Sequence, residues 1–203
     1  MRRAMPLRQR LRLALGLVAL VAGGYGIYRV VALSSQHEFA GTAIEHPQMV
    51  NTFEFVGEGS EAVRFPDAWR GKALLVFFGY ANCPDVCPLT MSELAKVYRD
   101  LDEPDDLQIV MVTVDPSRDT PERLQQYVEK FHPSFVGLSG SATTTAKANA
   151  AFYATSVPQG DGTVSHNSHV TLLDREGKMR VVYTQDKVPK MADDLRYILA
   201  QQR

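Results

Sequence analysis

Two apolar segments with a helical pattern between them constrain the fold of this chain more than any other feature. Residues 74–80 and 108–114 are almost continuously apolar, which is typical of strands buried on both faces of a sheet. Between them, residues 88–101 carry apolar side chains at helical spacing. A strand, a helix and a strand in this order predict a right-handed parallel crossover, with the carboxyl ends of both strands at one edge of the sheet. Open α/β folds place their binding sites at that edge.

The segments on either side of this unit complete one α/β domain. The patterns predict two hairpins, a short strand and three further helices. The hairpins are expected at 52–56 with 62–65 and at 169–173 with 179–184, the short strand at 135–138, and the helices at 121–131, 143–153 and 189–201. A hairpin, a crossover, a second hairpin and a closing helix together predict a thioredoxin-like fold, with a central mixed sheet flanked by helices.

The only two cysteines of the chain, Cys83 and Cys87, follow the first apolar strand at this sheet edge. Each precedes a proline, Pro84 or Pro88, and proline disfavours helical geometry in the residue before it. Both cysteines are therefore expected in the turn that leads into the helix. The positive end of the helix would favour the thiolate, which is the form that attacks disulfides and binds metals.

Spacing alone leaves three interpretations of this pair open. The cysteines could form a structural disulfide, or a redox centre with three intervening residues instead of the usual two. They could also bind a soft metal, because two thiolates and one imidazole suit Cu(I), or Zn with an added water. We rank redox or metal chemistry above a purely structural disulfide. The loop at 165–169 offers His166 and His169 as a third ligand, and only one is expected to serve, since a separation of three on an extended segment points them to opposite faces.

The amino-terminal segment has the pattern of a membrane anchor. Five arginines in the first 12 residues precede an apolar run at 13–28, which continues past Arg29 to residue 33. If Arg29 extends its charge to the membrane surface, the run reaches the length of about 20 residues that crosses a bilayer. We expect an uncleaved anchor, with a cleaved signal peptide as the alternative. The predicted order is a cytoplasmic basic tail (1–12), a transmembrane helix (13–33), a linker (34–50) and the soluble domain (51–203).

The charge distribution separates the anchor from the domain. The first 30 residues hold six of the 22 basic side chains and no acidic one, which leaves 16 basic and 23 acidic side chains, a net charge of −7, in the rest. An acidic domain has no basic stripe for nucleic acid, so we expect no nucleic-acid partner. The positive-inside rule places the arginines in the cytoplasm and the domain on the other side of the membrane. In a bacterial cell this means the inner membrane, with the domain in the periplasm.

Two stretches of the chain resemble the signature motifs of the Sco/SenC family. They are residues 78–88 (FGYANCPDVCP) and residues 112–122 (VTVDPSRDTPE), and the wider resemblance covers about residues 50–200. A CxxxCP motif alone is a weak signal, but the second motif at this distance makes the combination specific. The resemblance implies a membrane anchor at the amino end and a thioredoxin-like domain outside the cytoplasm. It also implies a copper site, for Cu(I) or Cu(II), that helps to assemble the CuA centre of cytochrome c oxidase.

The resemblance implies copper ligands at Cys83, Cys87 and one histidine of the 166–169 segment. In the family this histidine usually stands in Asp-His-Ser, eight residues before the Asp or Gly of the next hairpin turn. Counting back from Asp174 selects His166, with His169 ranked second. Serine and asparagine flank His166 here, so the Asp that could orient the imidazole is missing. Asp115 is either a supporting residue at this site or only a turn residue before a proline.

The expected function is that of a metallochaperone instead of an enzyme. Its partners would be the CuA-bearing subunit of cytochrome c oxidase, other periplasmic copper chaperones or thioredoxin-like reductases, and the membrane through its amino-terminal helix. The alternative is a thiol-disulfide oxidoreductase that reduces the CuA cysteines, with Cys83 attacking and Cys87 resolving. A peroxiredoxin-type peroxidase is disfavoured, because Tyr80 stands where such enzymes usually have threonine.

Overall fold

The computed structural model describes residues 37–160 and 163–201, together with residues 16, 20, 21 and 23–25. The chain divides into two units, Met1–Glu38 and Phe39–Arg203. The predicted transmembrane segment at 13–33 lies largely outside the described residues. Within the described parts of the chain, no helix has both the length and the apolar character needed to cross a bilayer.

The second unit consists of short strands and helices that alternate along the chain. Its strands are β1 (Thr42–Ala43), β2 (Phe53–Val56), β3 (Ala62–Phe65), β4 (Ala73–Gly79), β5 (Leu107–Thr113), β6 (Val136–Leu138), β7 (Ser156–Pro158), β8 (Val164–His166), β9 (Val170–Leu173) and β10 (Met179–Tyr183). Its α-helices are α1 (Val86–Asp100), α2 (Pro121–Val128), α3 (Ala142–Ala151) and α4 (Ala192–Gln201). Short 3₁₀ helices lie at Glu58–Ser60, Asp67–Trp69 and Gln185–Lys190.

The core of this unit is a six-stranded mixed sheet in the order β1-β10-β9-β4-β5-β6. Strand β4 runs parallel to β5, and β5 runs parallel to β6, whereas β9 pairs with β4 in the antiparallel sense. Every residue of β4 is buried, so both faces of the sheet are covered at its centre. This confirms the predicted mixed α/β fold and the crossover from β4 through α1 to β5.

Helix α2 begins as its sequence predicts. Thr120 is the N-cap, and its side-chain oxygen accepts a hydrogen bond from the Arg123 N–H at 3.2 Å. Pro121 occupies the first helical position, where its missing N–H would have had no partner. This start makes residues 114–120 the connection between the carboxyl end of β5 and the helix, next to the turn that carries Cys83.

Three regions of the chain differ from the expectations. Strand β1 lies in the segment expected to be a linker and pairs with β10, and Val50 is buried. The segment before residue 51 therefore contributes to the sheet and the core. Strands β7 and β8 form a separate two-stranded sheet in what was expected to be loop. Helix α1 starts at Val86 instead of near Pro88, because proline is tolerated in the first turn of a helix, where its N–H is not needed.

Candidate metal centre

The structure brings together the three side chains that the sequence analysis selected. One ligand atom from each of Cys83, Cys87 and His166 lies within 4.8 Å of the other two. The Cys87 Sγ and the His166 Nε2 are 3.3 Å apart. Sulfur and nitrogen ligands lie about 2.0–2.3 Å from a bound metal ion, so ligand atoms that share one ion are separated by up to about 4.6 Å. The cluster is therefore close to the size that a single ion requires.

Cys83 and Cys87 occupy different local structures. Cys83 lies in the turn after β4, where its N–H donates to the Tyr80 carbonyl at 3.2 Å, and its side chain is partly exposed. Cys87 is the second residue of α1 and is fully buried. The Cys87 N–H donates to the Cys83 Sγ at 3.4 Å. The prediction that both cysteines lie in the turn is therefore wrong for Cys87, because the helix begins two residues before Pro88.

The prediction that the helix end favours the thiolate form is also wrong for metal-free Cys87. Burial raises the pKa of the Cys87 thiol, and a hydrogen bond between the side chains of Cys87 and Cys83 raises it further. The loss of solvation of a buried thiolate opposes the stabilisation that the helix end would provide. A bound cation changes this balance, because a thiol that coordinates a metal loses its proton.

The imidazole of His166 has a defined orientation. Its Nδ1 lies 3.1 Å from the carbonyl oxygen of Asn167, and a carbonyl only accepts, so Nδ1 carries the proton. Nε2 then carries no proton, and its lone pair can accept a hydrogen bond from the Cys87 thiol in the metal-free protein. Burial lowers the pKa of His166, which favours this neutral form. A backbone carbonyl thus orients the ring in a chain that lacks the family's Asp.

His169 and Asp115 make contacts elsewhere. The Nε2 of His169 lies 2.9 Å from the carbonyl oxygen of Phe152 and not beside the cysteines. The Asp115 carboxylate accepts a hydrogen bond from the Ser117 hydroxyl at 2.8 Å and forms an ion pair with Arg118. These contacts fit a turn residue. The described contacts of Asp115 join it to its own loop and to Thr113, not to the metal-ligand candidates.

Tyr80 is a residue of the site that the sequence analysis did not select. Its hydroxyl accepts a hydrogen bond from the Val164 N–H at 3.2 Å, and so joins the end of β4 to β8. Its ring packs edge-on against His166 with the ring centroids 5.8 Å apart. The signal for this role is a tyrosine at the end of an otherwise apolar strand, because a buried tyrosine hydroxyl usually finds a hydrogen-bond partner.

Comparisons with known proteins point to one family. The sequence profile of the SCO1/SenC family matches residues 41–200. A putative copper-binding protein of Stutzerimonas stutzeri is 33% identical over 138 residues, which are 65% of this chain and 66% of that protein. The mitochondrial SCO2 homolog of Homo sapiens is 34% identical over 134 residues, which are 62% of this chain but only 50% of the human protein.

Solved structures show the same architecture. The apo Sco1 protein of Thermus thermophilus superimposes with a TM-score of 0.70 at 33% identity, over 80% of this chain and 98% of the other. ScoI of Bradyrhizobium japonicum with copper bound gives a TM-score of 0.66 at 31% identity, over 74% of this chain and 99% of the other. These matches confirm the predicted thioredoxin-like fold. Together with the profile match across most of its length, they show that this chain belongs to the SCO1/SenC family.

Proposed function

We propose that this protein carries copper on Cys83, Cys87 and His166 and delivers it to the CuA site of cytochrome c oxidase during assembly. The observation that carries the proposal is the convergence of two sulfur atoms and one imidazole nitrogen within 4.8 Å. This donor set suits Cu(I), since thiolates and imidazole are ligands that soft copper prefers. The copper-bound structure of a relative with the same fold, and the copper-binding name of another, support the choice of metal.

The three ligands have separate roles in carrying the metal. His166 offers a neutral nitrogen whose orientation is fixed by the Asn167 carbonyl, and buried Cys87 holds the inner side of the site. Cys83 is partly exposed and gives a partner's thiolate access to the metal for ligand exchange. Three strong ligands, with no fourth found among the described residues, differ from a closed structural zinc site, so the metal can be both held and released.

A thiol-disulfide reductase is the second candidate function. The observation that favours it is the pairing of a partly exposed Cys83 with a fully buried Cys87 only four residues away. Cys83 would attack a partner's disulfide, such as one formed by the CuA cysteines. Cys87 would then release the reduced partner by forming the Cys83–Cys87 disulfide. This chemistry does not require His166, which separates the two functions.

The proposed location follows from the amino-terminal sequence. Residues 13–33 would anchor the protein in the inner membrane by a single helix, with residues 1–12 in the cytoplasm and the domain in the periplasm. This location would give the domain access to the CuA-bearing oxidase subunit. It would also expose the domain to other periplasmic copper chaperones and to thioredoxin-like reductases.

The test compares two histidine variants of the reduced protein. Cu(I) affinity is measured by competition with a chelator, and transfer is measured by mixing the loaded protein with a reduced, copper-free CuA domain. His166→Ala is expected to lower Cu(I) affinity sharply while leaving the rate of disulfide exchange nearly unchanged. His169→Ala is the matched control, because this ring bonds to the Phe152 carbonyl and should leave Cu(I) affinity near wild type. Unchanged affinity in His166→Ala would refute the ligand assignment, and failure of transfer would favour the reductase.

A further inference from the structure

The second sequence motif, residues 112–122, makes contacts that the proposed ligand set does not explain. Asp119 in this motif is fully buried. Its Oδ2 accepts a hydrogen bond from the Ala81 N–H at 3.1 Å and another from the Thr113 hydroxyl at 2.7 Å. Ala81 is two residues before Cys83. The carboxylate therefore connects residues 80–83, the turn that carries Cys83 (the cysteine turn), to the carboxyl end of β5.

A second contact holds the same turn. The Arg123 Nη2 donates to the Asn82 Oδ1 at 2.5 Å. The two residues between Tyr80 and Cys83 are thus both bonded to side chains at the start of α2. The turn also closes on itself, since the Cys83 N–H donates to the Tyr80 carbonyl. These bonds restrict the positions open to Cys83, which is the more exposed of the two thiols.

Asp119 is itself held firmly by its backbone. Its N–H donates to the Asp115 carbonyl at 3.0 Å, and its carbonyl accepts a hydrogen bond from the Ser139 hydroxyl at 2.6 Å. A buried carboxylate with this support can fix a neighbouring backbone N–H in one place. Loss of the acceptor would leave the half-buried Ala81 N–H without its partner, and a donor that loses its partner away from water makes the local conformation unfavourable.

We propose that Asp119 is a positioning residue for the metal centre, which acts through the Ala81 N–H to hold Cys83 at the correct distance from Cys87 and His166. This inference rests on the proposed copper function and explains why the second motif accompanies the cysteine motif in this chain. Asp119 acts on the ligand geometry from the loop before α2 and is not itself a ligand. Its hydrogen bond, and not its charge, is the important property.

The chemistry of the site makes asparagine a close substitute at this position. The Oδ1 of Asp119 accepts no hydrogen bond from any described group, and burial raises the pKa of the carboxyl. An asparagine can place its amide oxygen at the Oδ2 position, where it accepts both bonds, and its amide nitrogen at the Oδ1 position. Alanine removes the acceptor entirely. Asparagine thus removes only the charge, whereas alanine removes the charge and the hydrogen-bond acceptor together.

The experiment uses the full chain with Asp119→Ala, Asp119→Asn and Gln125→Ala. Gln125 is the structural control, because it lies on the helix that follows Asp119 and is buried, and its side chain bonds to the Phe135 carbonyl and the Gly137 N–H and not to the cysteine turn. Cu(I) affinity is measured by chelator competition. The sulfur-to-Cu(II) charge-transfer band and the electron paramagnetic resonance spectrum report the ligand geometry, and thermal unfolding of the copper-free protein reports stability.

Asp119→Ala is expected to weaken Cu(I) binding by about 10-fold to 100-fold and to shift the charge-transfer band. Asp119→Asn should keep the wild-type band and affinity. Gln125→Ala should lower the unfolding temperature without moving the band. Wild-type copper affinity and an unshifted band in Asp119→Ala would overturn the proposal. A shifted band in a folded Asp119→Asn would overturn it as well. This asparagine result is decisive even if the alanine variant does not fold. Absence of copper binding by the wild type would instead refute the proposed function.

Discussion

Replacing Tyr80 by Phe is expected to destabilise the protein through one identifiable hydrogen bond. The Tyr80 hydroxyl accepts the Val164 N–H at 3.2 Å, and both residues are buried, with relative exposures of 2% and 7%. Phenylalanine fills nearly the same volume but leaves this N–H without an acceptor. A buried donor left without a partner costs about 1–3 kcal/mol. In a chain of this size that corresponds to a fall in unfolding temperature of roughly 3–10 °C.

Replacing Tyr127 by Phe is the control, because this substitution is not expected to lower the free energy of unfolding. The Tyr127 hydroxyl is buried, and it has no hydrogen-bond partner among the described residues. Tyr127→Phe therefore removes a desolvated hydroxyl and breaks no bond, so stability should stay the same or rise by about 1 kcal/mol. Burial raises the pKa of both tyrosines, so both hydroxyls are protonated in the pH range of the assay.

The assay is reversible urea unfolding of the reduced, copper-free proteins, followed by circular dichroism under anaerobic conditions. A loss in Tyr80→Phe with no loss in Tyr127→Phe would support the reasoning. Equal losses would refute it, because the effect would then come from tyrosine substitution in general and not from the bond to Val164. Copper affinity measured on the same samples would show whether the bond also holds β8, and with it His166, in place.

Two further perturbations test the site from other directions. Burial lowers the pKa of His166 and of His169 below the ordinary 6.5. The unfolded chain therefore binds protons more readily, so the free energy of unfolding should fall as the pH drops through 6.5 and level off below the folded pKa values. Urea unfolding at a series of pH values measures this, and replacing both histidines by Gln should reduce the slope. Gly79→Ala would place a Cβ 2.9 Å from the Cys87 Sγ, so we expect a loss of about 1–3 kcal/mol and weaker copper binding. Gly160→Ala, where a Cβ meets no atom of the described residues within 4 Å, should change neither stability nor copper binding in the same unfolding and chelator-competition assays.

The elements with a clear apolar pattern could be predicted from the sequence. Strands β4 and β5 are continuous apolar runs, so the crossover and the sheet edge that presents the cysteines were predictable. The capping threonine and the following proline fixed the start of α2 for the same kind of local reason. The choice of His166 over His169 came from the family resemblance and agrees with where the structure places the two rings.

Features that depend on tertiary context were missed. Residues 156–166 contain few apolar side chains, so nothing in their pattern indicated that β7 and β8 pair. The thiolate prediction failed at Cys87 because a sequence shows the helix end but not the complete burial of the side chain. The role of Asp119 was hidden for the same reason, because its partner Ala81 lies 38 residues away and contributes only a backbone N–H.

The placement of His166 on the small β7–β8 sheet separates two kinds of chemistry within one molecule. Cys83 lies between β4 and α1 and Cys87 in the first turn of α1, whereas the imidazole reaches them from the β7–β8 hairpin. Changes in that hairpin can add or remove metal coordination while the dithiol and its supporting sheet stay intact. Substitutions in this hairpin could therefore convert a metal carrier into a thiol-exchange protein, or the reverse. A protein engineer could use the same hairpin to adjust metal affinity independently of redox behaviour.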